Sequence, residues 1–271
     1  MAKVLVVTSG KGGVGKTTST AALGAALAQS GNTVAVVDFD VGLRNLDLVM
    51  GAERRVVFDF INVIQGTCKL SQALIRDKRL DTLWLLPASQ TRDKEALTAN
   101  GVSNVIAQLR QTFDWVICDS PAGIERGAML AMRHADTAVI VTNPEISSVR
   151  DSDRIIGLLD AKTEKAEKGE QVEKHLLITR HDAVRAGKGE MLSIEDVLKI
   201  LSVPLLGIVP ESREVLRASN IGAPVTLCNP SSAPARAYCD AMRRLEGGTV
   251  PMTIPSDPKR LFGKLFGRRA A

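Results

Sequence analysis

The chain has only four cysteines in 271 residues, and Cys68, Cys118, Cys228 and Cys239 are scattered, with no C-x-x-C pair and no histidine at metal-ligand spacing. That excludes a disulfide framework and a zinc site as organising elements. No apolar run approaches the roughly 18–20 residues of a membrane span. The first residues lack the charged start, apolar stretch and small-residue cleavage site of a secretory signal, so we expect a cytoplasmic chain. No internal repeat is visible. The body also lacks an excess of either charge: of 35 basic and 30 acidic residues, Lys259, Arg260, Lys264, Arg268 and Arg269 fall in residues 259–271 with no acid among them, and the remainder balances. The net charge of +5 thus belongs to a short tail and not to a basic face for nucleic acid.

What the chain does have is a 45% hydrophobic composition, enough to fill a core and to exclude disorder. Short β-branched runs alternate with helical patterns, which predicts βαβ units and an α/β fold: a mostly parallel sheet with helices on both faces. The predicted strands are Val4–Thr8, Thr33–Asp38, Thr82–Leu86, Trp115–Asp119, Thr137–Thr142, His175–Thr179 and Pro204–Val209. Most are apolar throughout, as in strands buried on both faces. Helices are predicted over Thr17–Gln29, Val102–Gln111, Ile124–His134, Val149–Asp160 and Ile194–Leu201, and Lys162–Lys174 reads as a solvated helix end or loop. Residues 247–258, GGTVPMTIPSDP, suit a linker. The expected organisation is one domain over 1–246, a linker over 247–258 and a tail over 259–271.

The strongest chemical signal is Gly10-Lys11-Gly12-Gly13-Val14-Gly15-Lys16-Thr17, followed by Thr18, between a predicted strand and a predicted helix. It fits G-x-x-x-x-G-K-[ST] in the context that a P-loop NTPase fold requires. Glycines let successive N–H groups converge on phosphate oxygens, and the helix N-terminus adds partial positive charge. In this pattern Lys16 reaches the β- and γ-phosphates of ATP and Thr17 offers its hydroxyl to Mg²⁺. Carboxylates follow strand ends, where ligands bind in open α/β sheets. Asp38 and Asp40 follow the second predicted strand, and Asp119 ends the fourth. Asp119 reads as the Walker B acid holding Mg²⁺ through water, or alternatively as an N-cap for the next helix. Spacing alone does not choose between Asp38 and Asp40 as the residue that orients water.

The run Lys11 to Thr17 resembles the deviant Walker A motif of the MinD/ParA ATPase family. The resemblance extends through Phe39–Leu48, Gly51–Arg55, Pro87–Lys94, Cys118–Glu125 and Thr142–Arg154 to nearly the whole chain, and is closer to the division-site branch than to the DNA-partitioning one. It departs at His181-Asp182-Ala183, where the family has an aromatic and an Asn-Pro pair near the adenine pocket, and in the proline content of the linker. The resemblance implies a Mg-dependent ATPase that dimerises on ATP, with Lys11 acting across the interface on the partner's nucleotide, as an arginine finger does. It assigns Asp40 to the attacking water with Asp38 in support. It also implies a MinC-like division inhibitor and a MinE-like activator at overlapping positions on the first helix after the fifth predicted strand, including Ser147, Arg150, Asp151 and Asp153. Without the family, these are an ordinary mixed-charge helix start.

On a helix, Leu261, Phe262, Leu265 and Phe266 fall within an arc of about 140°, with Lys264, Arg260 and Arg268 opposite, the pattern of an interfacial membrane helix. Gly263 and Gly267 each cost about 1 kcal/mol of helicity. Burying four large apolar side chains contributes roughly 6–12 kcal/mol, and each cation near an anionic leaflet about 1, against roughly 9–18 for ordering the segment. One tail is marginal, whereas two on one dimer are not. ATP-driven dimerisation would therefore control residence on the cytoplasmic face of the inner membrane. Two alternatives share the superfamily: a ParA-like DNA-partitioning ATPase, opposed by the balanced body, and an iron–sulfur carrier, opposed by the isolated cysteines.

Overall fold

The computed structural model describes residues 2–90 and 94–255. The tail residues Leu261, Phe262, Lys264, Leu265 and Phe266 lie outside the described residues, as do 256–258 of the expected linker and 91–93 of the Pro87–Lys94 segment.

Eight strands form one sheet: β1 Lys3–Thr8, β2 Val34–Asp38, β3 Ile75–Arg76, β4 Leu83–Leu86, β5 Trp115–Asp119, β6 Thr137–Thr142, β7 Glu173–His181 and β8 Leu205–Pro210, in the order β3-β4-β2-β5-β1-β6-β7-β8. Only the β3–β4 pair is antiparallel among the described residues. The uninterrupted apolar runs have a direct cause. Val4, Val6, Val37, Val116 and Ile140 enter one hydrophobic cluster, while their neighbours Leu5, Val7, Val36, Ile117 and Val139 enter the other. Each central strand thus has two buried faces, and period-two alternation disappears.

The helices of eight residues or more are α1 Lys16–Gln29, α2 Ala99–Thr112, α3 Arg126–Arg133, α4 Ile146–Lys162, α5 Ile194–Leu201, α6 Arg213–Asn220 and α7 Ala233–Leu245. Side chains of α2 to α5 fill one cluster, and those of α1, α6 and α7 the other. Alanine-rich α1 is buried along most of its length, because α7 covers the face turned away from the sheet. Ser19 Oγ and Tyr238 OH pair at 3.0 Å between these two helices, so neither hydroxyl is buried alone. Among the described residues no helix is long and apolar enough to cross a membrane.

Several predicted boundaries shift for local reasons. Thr33 and Thr82 do not enter strands: Thr33 gives both its N–H and its hydroxyl to the Asp114 carboxylate, and the Thr82 hydroxyl goes to Ala28 O. Helix α2 begins at Ala99, earlier than Val102, because the Thr98 side chain caps it at Gly101 N. Helices α3 and α4 begin at Arg126 and Ile146 instead of Ile124 and Val149. The charged Lys162–Lys174 stretch holds the end of α4, a one-turn helix Glu164–Glu167 capped by Thr163, and the start of a longer β7. Strand β3 and helices α6 and α7 were not expected. Because of β3, Asp119 ends the fifth strand of the chain and α4 follows the sixth. In the expected linker, the Arg244 guanidinium holds Val250 O and Pro251 O as well as Leu206 O, so residues 250 and 251 are tied to the start of β8.

Gly24, on α1, faces the middle of the sheet, where an added Cβ would lie 2.8 Å from Val36 Cγ1. Gly→Ala in a helix ordinarily contributes about 1 kcal/mol, but a stiff β-branched neighbour in a close-packed core makes overpacking cost about 1–3 kcal/mol. Gly24→Ala is expected to lower Tm by a few degrees, read by thermal denaturation; a rise would mean that the helix–sheet gap can open.

Candidate functional site

The C-terminal edge of the sheet gathers the phosphate loop, Asp38 and Asp119. Between β1 and α1 the chain turns through Gly13 (φ 76°) and Gly15 (φ 95°), both left-handed, a conformation that glycine adopts without strain. Gly15 caps α1 with no side-chain hydrogen bond, so the first-turn N–H groups, at Lys16, Thr17 and Thr18, depend on a partner from outside the helix. Val14 is buried and anchors the loop, and its carbonyl accepts the Thr179 hydroxyl at 2.6 Å. Gly12 has near-open space around it, whereas a Cβ on Gly10 would meet the Asp151 carbonyl oxygen at 2.3 Å. Gly10 is therefore glycine because α4 presses its backbone against the loop.

Lys16 is 8% exposed. Its Nζ donates to Ser9 Oγ at 2.8 Å and to Lys11 O at 3.4 Å, which places the ammonium over the loop's mouth. Burial lowers its pKa, and the charges of Asp119 and Asp40 oppose that shift. Lys11 behaves differently. Its side chain is 38% exposed and turns out of the loop, with Nζ 3.0 Å from Glu145 Oε2 and 2.9 Å from Ser147 Oγ at the start of α4.

Asp38 and Asp119 are opposed in the β2–β5 ladder and both are buried. Asp38 Oδ1 accepts Asp40 N–H at 2.8 Å and its Oδ2 accepts Leu46 N–H at 3.3 Å. Its carboxyl is pushed well up, first by burial and then by the Asp119 charge. Burial likewise raises Asp119, to about 6, against hydrogen bonds from Thr17 and Thr20 and the charge of Lys16; the Thr20 bond is 2.9 Å. Asp119 is not an N-cap, since Glu125 occupies that position for α3. Thr17 and Asp119 thus form a hard-oxygen pair, and two buried acids with raised pKa values signal a site short of positive charge. Both features fit a Mg²⁺ ion taking a few protein oxygens and completing its shell with water and phosphate.

On α4, Ser147, Arg150 and Asp153 are exposed, whereas Asp151 is half-buried behind Gly10. His181, the last residue of β7, pairs with Pro210 of β8 and is 5% exposed; its Nδ1 has no hydrogen-bond partner among the described residues, and burial lowers its pKa. The neighbouring Arg180 is left-handed (φ 54°), ion-pairs with Glu211 at 2.9 Å and extends to Gly13 O at 3.5 Å. Sequence reasoning missed Ser9, Thr20, Glu145 and Thr179. Thr20 could have been found, because it lies one helical turn beyond Thr17 on the same face. Burial pushes the Cys118 thiol up to about 12, which removes it as a thiolate ligand.

A glycine loop after the central strand of a doubly wound sheet, a lysine over its mouth and paired carboxylates at neighbouring strand ends define a P-loop nucleotide-binding protein. The CobQ/CobB/MinD/ParA nucleotide binding domain matches residues 5–225, and the chain belongs to that family. It is 56% identical to septum site-determining protein MinD of Neisseria meningitidis, over 98% of this chain and all of that protein. Among solved structures it is similar to MinD in the MinC:MinD cell division protein complex of Aquifex aeolicus (TM-score 0.80, 41% identity, 93% of this chain and 99% of that one). It is also similar to MinD complexed with Mg-ADP from Pyrococcus horikoshii (TM-score 0.80, 29% identity, 91% and 96%).

The raised pKa of Asp119 links the stability of the fold to pH. The unfolded chain releases this proton near pH 4, while the fold keeps it to about 6, so the carboxylate destabilises the nucleotide-free fold increasingly as pH rises through that window, and fully above it. Asp119→Asn is expected to stabilise the nucleotide-free chain by about 1–2 kcal/mol more at pH 7.5 than at pH 5, read by urea unfolding. An equal effect at both values would mean that Asp119 ionises as an exposed carboxylate does.

Proposed function

We propose that this chain is a Mg-dependent ATPase that dimerises on ATP and resides on the cytoplasmic face of the inner membrane. There it helps place the division septum by recruiting a MinC-like inhibitor, and hydrolysis stimulated by a MinE-like activator releases it. The observation that carries the reading is the contrast between the two lysines. Lys16 is buried over the loop among carboxylates, as a lysine must be to neutralise phosphates of its own nucleotide. The Lys11 side chain turns out of the loop into an exposed pair with Glu145, which contributes about 1 kcal/mol or less and is easily given up to a second copy's nucleotide.

In this mechanism the loop N–H groups and the α1 N-terminus bind the phosphates. Thr17 and Asp119 are the residues that would hold Mg²⁺, which when bound would supply positive charge against the phosphates. Asp38 fixes the backbone of Asp40 through its N–H, so the Asp40 carboxylate orients the attacking water with little freedom to lose. Lys11 from the partner copy adds charge at the transition state, an effect of about 10³–10⁵ where an arginine does the same work. The α4 start, with Ser147, Arg150, Asp151 and Asp153, is the surface for the inhibitor and the activator. The MinC:MinD complex of a 41% identical relative supports an inhibitor partner, and the Mg-ADP complex of another supports the nucleotide.

Sedimentation with anionic liposomes tests the cycle. Pelleting with ATP and Mg²⁺, little with ADP, and loss in Lys11→Ala are expected. Nucleotide-independent pelleting would indicate a constitutive anchor, and no pelleting would favour the DNA-partitioning alternative. Deleting residues 259–271 is expected to abolish vesicle binding while nucleotide affinity stays unchanged; loss of both would refute a separate membrane tail.

A further inference from the structure

Three segments meet at one guanidinium. The turn after the one-turn helix Leu46–Val49 and the turn after α6 cross backbone to backbone at Gly51 (φ 64°) and Gly222 (φ 66°). A Cβ on Gly51 would lie 2.5 Å from Gly222 O, and one on Gly222 would lie 2.7 Å from Gly51 Cα. At this crossing the hairpin residue Arg79 donates from one terminal nitrogen to Gly222 O at 2.9 Å, and from the other to Met50 O at 2.7 Å and to Asp77 Oδ2 at 2.8 Å. Its Nε donates to Asp77 Oδ1 at 3.1 Å. Asp77 is 5% exposed and also accepts the Arg79 and Leu80 N–H groups. The carboxylate therefore fixes the plane of the guanidinium, and the remaining donors satisfy carbonyls at the C-terminal ends of two helices, which have no partner within their own helix.

Both helices lead back to the site. The Leu46–Val49 helix begins at the N–H held by Asp38, at the end of the segment that carries Asp40, whose Gly42 N–H is tied to Ser89 O. Helix α6 begins just after Glu211, which holds Arg180 beside Gly13 of the phosphate loop. We infer that Arg79, oriented by Asp77, is a positioning residue for hydrolysis: it locks the Asp40 segment to α6, so that the Asp40 carboxylate and the phosphate loop keep one fixed spacing. The inference rests on the ATPase reading above. Arg79 acts through the Met50 and Gly222 carbonyls.

Steady-state turnover of Mg-ATP by the full chain, with Tm and the affinity for a fluorescent ATP analogue measured in parallel, tests this in Arg79→Gln and Arg79→Lys. A misplacement of about 1 Å costs about 10²-fold in rate, so Arg79→Gln, losing part of the lock, is expected to lower kcat roughly tenfold. KM and analogue affinity should stay within about twofold. Arg79→Lys, whose ammonium lacks the planar fork, should fall between. A purely structural arginine would lower Tm while kcat below the transition stays at the wild-type value, and that result overturns the inference. If Arg79→Gln does not fold, Arg79→Lys decides alone: a reduced kcat at unchanged affinity supports positioning, and an unchanged kcat overturns it. A wild-type chain without turnover would sink the ATPase reading and this inference together, whereas wild-type turnover matched by both variants would sink this inference alone.

Discussion

The site is organised around the cost of placing two carboxylates side by side at the end of a parallel sheet. Asp38 and Asp119 are opposed in the β2–β5 ladder with almost no exposure, so each raises the free energy of the other's charged form. The surroundings answer that cost in three ways: N–H groups of Asp40 and Leu46 on Asp38, hydroxyls of Thr17 and Thr20 on Asp119, and the Lys16 ammonium nearby. These contacts do not bring the carboxyls back to their ordinary range. In the proposed function a divalent cation would supply the positive charge that the polypeptide leaves short, so binding energy would be available at the reacting centre.

The same economy of contacts appears around the loop. Helix α4 presses on Gly10 through the Asp151 backbone, and its first turn holds Lys11 through Ser147, with Glu145 alongside. A protein that binds the exposed face of α4 therefore lies one side chain away from the charge assigned to the transition state. Under the proposed function, coupling between partner binding and hydrolysis would need no long pathway, because one helix end would serve both.

Much of this was legible in the sequence, for identifiable reasons. The phosphate loop could be read because its constraint is local: Gly13 and Gly15 are required by their own backbone angles. Strands such as Trp115–Asp119 could be read because burial on both faces leaves an unbroken apolar run. The ends of strands were less visible, since Thr33 has strand character and its hydrogen bonds go to Asp114, 81 residues away. The same limit hid Thr179, whose hydroxyl meets Val14 across 165 positions, and Glu145, which meets Lys11 across 134. Strand β3 is two residues long and has no period to detect. Helix α7 does carry a local signal, since Ser232 followed by Pro234 is a cap and a first-turn proline.

The tie from Arg244 to Val250 and Pro251 sets the mechanics of whatever follows. With those carbonyls fixed to the start of β8, eight Cα–Cα steps separate Pro251 from Lys259, a span of at most about 26–29 Å. That is about the length of a 20-residue helix. An anchored tail would thus act as a short leash, keeping the Leu206 end of the sheet near the surface and limiting how far the body can swing away from it.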